Sequence, residues 1–224
     1  MFLRRNLLVL LLATLVPGAA AAAAASKTVG FQLQLDGLVY SPSGTVQAAN
    51  DADLSLLLPS GPGIALTASR GVARAWVLAA RMAYFGSNQD GSFHFDDQFS
   101  TNGPPFALNR ELHVTTAHGL LQYRHPLGGK LEWSLEAGGG VAQSREKLVL
   151  SSSTGEKANA VGVQLDPSVA AGGSLAYMAG WNTDLVGGVR WSKSLTGDGA
   201  VWSDGDSPSF LNWSLGVRYP HNTH

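Results

Sequence analysis

The chain contains no cysteine, which excludes thiolate metal sites, thiol nucleophiles and lipidation on an N-terminal Cys. Charge is scarce as well. Asp, Glu, Lys and Arg make up 14% of the residues, against about 25% in ordinary globular chains, which argues against a densely charged soluble surface. Nor is there a basic excess: 15 Lys and Arg face 16 Asp and Glu, a net charge of −1. Nothing is left over to neutralise phosphates, so no nucleic-acid partner is expected. Beyond the N-terminus no stretch approaches the eighteen or so uninterrupted apolar residues of a membrane helix. What the chain does have is a 45% hydrophobic content, which rules out disorder, and 27 glycines among 224 residues.

The N-terminus explains the one long apolar run. Arg4 and Arg5 precede an apolar stretch over residues 7–16, Pro17 and Gly18 break it, and alanines fill 19–25. A positive region, a short apolar core and small residues at the cut form a secretory signal. Ten strongly apolar residues are too few to span a core of ~30 Å. The expectation is a cleaved signal peptide at 1–25 and a single mature domain over 26–224.

Within that domain the apolar residues recur with period two. Phe31, Leu33 and Leu35 alternate with Gln32, Gln34 and Asp36; Leu131, Trp133 and Leu135 alternate with Glu132, Ser134 and Glu136. Leu185, Val189 and Trp191 oppose Asp184 and Arg190. Leu211, Trp213, Leu215, Val217 and Tyr219 oppose Asn212, Ser214, Gly216 and Arg218. Alternation of this kind defines a strand with one apolar face. Weaker versions around 63–69, 75–85, 111–124 and 165–177 bring the number to eight. In the 111–124 segment the first half favours Leu112 and Val114 outward and the end favours Leu121 and Tyr123, so a bulge near His118-Gly119 is expected to shift the phase. Leu54 to Leu58 suggests an extension of the second strand or an additional hairpin that would take the number toward ten.

Short links near 70–74, 125–130 and 178–182 alternate strictly with long ones at 41–62, 86–110, 142–164 and 195–209. Aromatic residues gather at both ends of the strands. Trp76, Tyr123, Trp133, Tyr177, Trp181 and Tyr219 lie near the short turns, and Tyr40, Tyr84, Phe85, Trp191 and Phe210 near the long loops. Even strand number, short and long connections in alternation and two aromatic girdles are the pattern of an up-and-down transmembrane barrel. The expected fold is all-β: an eight-stranded antiparallel barrel in the outer membrane of a Gram-negative (diderm) bacterium.

The chain thereby resembles the small outer-membrane barrels, namely the OmpA transmembrane domain, OmpX/Ail and opacity-like families. The resemblance covers the whole mature chain and rests on architecture. Its closest local carriers are the final strand, Phe210 to Tyr219, which looks like a terminal assembly signal ending on an aromatic, and the turn at 70–74 followed by Trp76. In this sequence Pro220-His-Asn-Thr-His224 follows the terminal aromatic. The resemblance implies as partners outer-membrane lipid and lipopolysaccharide, periplasmic chaperones and the outer-membrane assembly machinery, and a monomeric state.

Any chemistry belongs to the inward face, which in this register carries Asp36, Arg81, Glu132, Glu136, Asp184, Arg190 and Arg218. An eight-stranded barrel is only wide enough for side chains to fill, so these charges must pair or stay hydrated. Arg81 and Glu136 lie at similar depths and are expected in one ion-pair network, with Arg190 and Asp36 near its upper end. The girdle residues are taken as Tyr40, Trp76, Tyr84, Tyr123, Trp133, Tyr177, Trp191 and Tyr219.

The expectation is a non-enzymatic barrel with a plugged polar lumen and long extracellular loops, structural or surface-interacting, and with no cofactor. Exposed loop aromatics such as Phe93, Phe95, Phe99, Phe106 and Trp202 are candidates to meet a surface ligand. One alternative is a lipid-A deacylase, which needs a serine, a histidine base and an orienting acid. His113 and His118 lie on a strand without the His-x-Ser spacing, although a serine on a neighbouring strand would serve. The other alternative is a soluble, lipocalin-like periplasmic barrel. Asp96, Asp97, Asp198, Asp204 and Asp206 offer oxygen ligands without calcium-loop spacing, and no metal is expected.

Overall fold

A strand with one apolar and one polar face has two needs: a medium for each face and partners for both edges. A closed ring meets the second need completely. The computed structural model describes residues 30–43, 45–47, 55–57, 60–73, 75–93, 106–152, 155, 157–180, 183–196 and 209–219. The strands are β1 (Phe31–Ser43), β2 (Thr45–Gln47), β3 (Ser55–Leu57), β4 (Gly61–Gly71), β5 (Trp76–Phe93), β6 (Phe106–Gly128), β7 (Leu131–Ser151), β8 (Lys157–Gly180), β9 (Thr183–Ser194) and β10 (Ser209–Tyr219). Eight of them form a closed barrel in the order β1-β10-β9-β8-β7-β6-β5-β4, all neighbours antiparallel. The ring is completed by β1 and β10, from Leu33↔Tyr219 to Ser43↔Ser209. The additional hairpin also exists: β2 and β3 pair with each other in a separate two-stranded sheet and leave the ring at eight.

The faces fall as the alternation requires. Leu33, Leu135, Leu185 and Leu215 are all on the outside, 42% to 73% exposed, while Asp36, Thr67, Arg81 and Asp184 are buried inside. A lipocalin-like soluble barrel would hold those leucines in its core. Burying an apolar side chain from water is worth ~1.5–3 kcal/mol, and a belt of outward leucines obtains that only from lipid. The soluble alternative is therefore set aside. Because the side-chain period is two, one residue of slip would exchange the faces of a whole strand.

Two expectations are corrected. The phase of β6 does not change at His118-Gly119. Arg110, Leu112, Val114, Thr116, His118, Leu120 and Gln122 are all buried in unbroken alternation, and the irregularity falls instead between Pro126 and Gly128. Leu112 and Val114 point inward because apolar partners wait there, in a cluster with Tyr40, Phe85 and Phe210. The stretches expected as connections at 86–110 and 142–164 also contain strand, over 86–93, 106–110, 142–151 and 157–164. β6, β7 and β8 run for 23, 21 and 24 residues, where a bilayer crossing needs about 9–11. Above the apolar belt the paired strands carry polar partners on their outer side, such as Asn109 with Asp90 at 2.6 Å and Lys147 with Glu111 at 3.8 Å. At the other end the links are tight: Gly128 and Gly129 have φ of 105° and 60° and turn β6 into β7, a conformation that costs a side chain with a Cβ.

Candidate functional site in the barrel lumen

All seven charged residues expected on the inner face lie there, and each is ion-paired. Arg81 Nη1 donates to Asp36 Oδ2 at 2.6 Å and to Thr67 Oγ1 at 3.1 Å, and Gln34 donates to the other Asp36 oxygen at 2.8 Å. Arg190 bonds Glu136, whose second oxygen accepts from Gln122 at 2.7 Å. Arg218 bridges Asp184 at 2.6 Å and Glu132 at 2.8 Å. Thus Arg81 and Glu136 do not pair with each other, although both line the same polar cavity with Arg190 and Arg218. The wall geometry explains the choice. Arg81 and Arg190 each find an acid two strands away along the wall, whereas Arg218 meets Asp184 on the adjacent strand and Glu132 three strands away.

Small residues make these reaches possible. Glu136 is level with Gly172 on β8, and Gly172 is level with Arg190 on β9. A Cβ at Gly172 would lie 2.6 Å from the Val189 carbonyl oxygen and 3.2 Å from Arg190 Cβ. At Gly216 a Cβ would meet an Asp36 carboxylate oxygen at 2.1 Å. Inward glycines are therefore the gaps through which neighbouring charges meet.

Several residues that the sequence does not place on the inner face lie there. Arg110 and Glu146 form a further buried pair higher in the barrel. Arg124 donates to Gln122 at 2.7 Å, to Ser69 at 3.2 Å and to Gln32. His118 Nε2 shares a hydrogen bond of 2.8 Å with Ser168 Oγ. The two are level with Gly140 between them, so the imidazole crosses a strand that offers no side chain. Unbroken alternation along β6 is the signal that finds Arg110, His118 and Arg124; an assumed bulge conceals it. Both members of the His118–Ser168 couple are buried, and among the described residues no carboxylate bonds the imidazole. Asp166, two residues from Ser168, is bonded to Gln164 at 2.7 Å and Thr196 at 2.6 Å instead. Among the described residues no three His, Asp or Glu side chains converge to hold a metal.

Of the expected girdle residues, Trp76, Tyr84, Tyr123, Trp133, Tyr177, Trp191 and Tyr219 are on the outer face. Trp76, Tyr123 and Trp133 touch in sequence at centroid distances of 5.2 and 5.7 Å at the short-turn end. At the opposite end Tyr84 Oη bonds His113 Nδ1 at 2.8 Å. Tyr40 is a correction. It is 1% exposed and stacks on Phe85 at 4.0 Å inside the barrel, because it shares the parity of Asp36 and Leu38. Phe85 and Phe210 turn inward with it and form the apolar layer above the ion pairs. Trp181, Phe95, Phe99, Trp202 and the loop aspartates Asp96, Asp97, Asp198, Asp204 and Asp206 lie outside the described residues, as do residues 1–25 and 220–224.

A closed ring with an apolar outside, a charged inside and aromatic residues at both margins is a transmembrane β-barrel of the outer-membrane type. No family profile matches the chain, and no curated protein matches it in sequence. Among solved structures it is similar to Neisserial surface protein A, with 13% identity over 87% of this chain and 99% of that one and a TM-score of 0.49. It is similar also to a major outer membrane protein of Thermus thermophilus, with 13% identity over 85% and 99% and a TM-score of 0.48. Ail of Yersinia pestis shows 14% identity over 84% and 97%, with a TM-score of 0.44. At these values the likeness carries no detail, and the class rests on the chain's own two faces.

Proposed function

We propose that the chain is a non-enzymatic outer-membrane barrel whose side-chain-filled lumen does not conduct, and which presents its extended strands and long loops to the cell exterior. On this reading residues 1–25 are removed on export, 26–224 form the barrel domain, and a monomer reaches the membrane through periplasmic chaperones and the assembly machinery. The observation that carries the proposal is the ion pairing of the seven lumenal charges Asp36, Arg81, Glu132, Glu136, Asp184, Arg190 and Arg218 beneath an apolar layer. Asp36 with Arg81, Glu136 with Arg190, and Arg218 with Asp184 and Glu132 leave no single-sign ring to draw ions. Above them Tyr40, Phe85, Leu112, Val114 and Phe210 pack together in the lumen.

The His118–Ser168 couple is the feature that a hydrolase reading would use. Among the described residues no carboxylate orients the imidazole as a working base requires, and both groups are buried inside the barrel. A loss of outer-membrane recovery on fractionation would refute the location. A changed acyl pattern in the lipid A mass profile of a deletion strain would refute the non-enzymatic part.

A further inference from the structure

The polar cavity in the lower lumen owes its existence to one row of small residues. Arg124 on β6 is level with Ser134 on β7, Ser134 with Ser174 on β8, Ser174 with Gly188 on β9, and Gly188 with Ser214 on β10. Beyond Arg124 this row crosses four strands without a side chain longer than serine, which hollows that part of the wall. Ser134 and Ser174 share a hydrogen bond of 2.7 Å, and Ser214 donates to the Gly188 carbonyl at 3.4 Å. A Cβ at Gly188 would lie 3.0 Å from Ser174 Cβ and 3.3 Å from Ser214 Oγ, so a single methyl group takes up part of the gap. The free volume is about 10 Å³, enough for one water-sized body.

Donors and acceptors share the wall unequally. Arg81, Arg124, Arg190 and Arg218 all line the cavity, with Glu136 the one carboxylate among them. The acids are already spent. Glu136 accepts from Arg190 and Gln122, while Asp36 and Asp184, 1% and 0% exposed, do not reach the cavity wall. The guanidiniums are not spent. Arg124 bonds only neutral oxygens, on Gln32, Ser69 and Gln122. Its Nε and that of Arg190 are shut off from solvent without a hydrogen-bond partner among the described residues. A guanidinium carries five N–H donors and accepts nothing, and leaving such donors unmet in a buried site is costly. A water would relieve two of them but must place its own hydrogens where carboxylate oxygens are already occupied. An anion accepts from every side and donates nothing.

We propose that this cavity is a binding site for one small inorganic anion of halide size. Arg124 is its principal cation, the other three guanidiniums surround it, and the serine row forms its back wall. Arg124 is half-buried and stands at the short-turn end, where its backbone N–H bonds the Ala75 carbonyl at 2.8 Å; the anion enters there. Leu38, Ala65 and Ala83, and then the Tyr40 layer, close the lumen above, so the ion is held and not passed. The site concerns the lumen alone and stands whatever the loops meet outside.

The test uses the full barrel in two measurements. Crystals soaked in sodium bromide are expected to show one anomalous peak inside the lumen between Arg124 and Gly188. Urea unfolding at constant ionic strength, with gluconate replaced stepwise by chloride, should show a midpoint that rises and saturates, whereas sulfate should give no such rise. Arg124→Gln should weaken the apparent chloride affinity about tenfold, and Gly188→Ala should remove the bromide peak by filling the gap. Gly187→Ala, where a Cβ meets nothing nearer than 4.0 Å, should keep both the peak and the response, which separates loss of the site from a general loss of stability. No lumenal bromide peak would overturn the site and leave water in the cavity. A peak without a chloride-dependent midpoint would reduce it to an adventitious ion only, and an equal response to sulfate, or an unchanged response in Arg124→Gln, would overturn it as well.

Discussion

Glu136 depends on two residues that carry no obvious chemistry in a linear reading: Gln122, which supplies a second hydrogen bond, and Gly172, which leaves room for Arg190 to arrive. A buried ion pair is seldom a net gain over an apolar substitute, but removing one partner strands the other without compensation. Glu136→Ala is therefore expected to cost about 3–5 kcal/mol, and the double change Glu136→Ala with Arg190→Met less than that single one. Urea titration of the barrel in lipid vesicles, followed by tryptophan fluorescence, measures both; a double variant weaker than the single would mean that Arg190 finds other support. At Gly172 the expectation is sharper still. Gly172→Val drives a side chain into the Val189 carbonyl and the base of Arg190, so it should destabilise more than Gly187→Val, whose nearest neighbour is 4.0 Å away. The seven inner charges are visible from alternation alone, but their partners are not. Pairing depends on shear, on which glycine lies between two strands and on side-chain reach, and none of these has a period in sequence.

Among the elements, β6 is where periodic reading goes astray. Its apolar residues at 112 and 114 and at 121 and 123 have opposite parity, and a bulge is the obvious repair. The physical resolution is that a barrel interior need not be polar throughout: the inward parity meets apolar partners above and polar ones below. Tyr40, Phe85 and Phe210 are drawn into the girdle for the same reason, when position along a strand is weighed before parity. Where the alternation is strong, as over 31–36 of β1, 131–137 of β7 and 211–219 of β10, no such conflict arises and the faces are legible. Strand ends are less so, because above the lipid both faces of a strand become polar and the apolar signal fades while backbone pairing continues. Amides of β7 between Arg145 and Leu150, paired on both sides with β6 and β8, should therefore be protected in hydrogen exchange to a degree comparable with those from Leu135 to Val141. Exchange within seconds there would restore the long loop that sequence suggests. Lipid-side substitution separates the two parities of β6 in the same way. Leu121→Arg, facing outward, should cost up to about 2–4 kcal/mol if it lies near the bilayer midplane, and less toward the interface.

The whole molecule is defined by an inversion, with its leucines outside and its carboxylates inside, and membrane insertion follows from it. In planar bilayers the protein is expected to show no steady single-channel conductance, since paired charges and the Tyr40 layer occupy the lumen; regular open levels at modest voltage would contradict a filled barrel. The absence of native cysteine allows the most direct test of the inversion itself. Single variants Leu215→Cys and Asn212→Cys place a nitroxide on opposite faces of β10, at a residue 73% exposed and at one 8% exposed. In lipid vesicles the label at 215 should collide freely with oxygen dissolved in the bilayer and be shielded from a water-soluble nickel chelate, and the label at 212 should lack that lipid-phase collision. A label at 215 that meets the chelate as readily as an exposed soluble site would contradict the account at its centre.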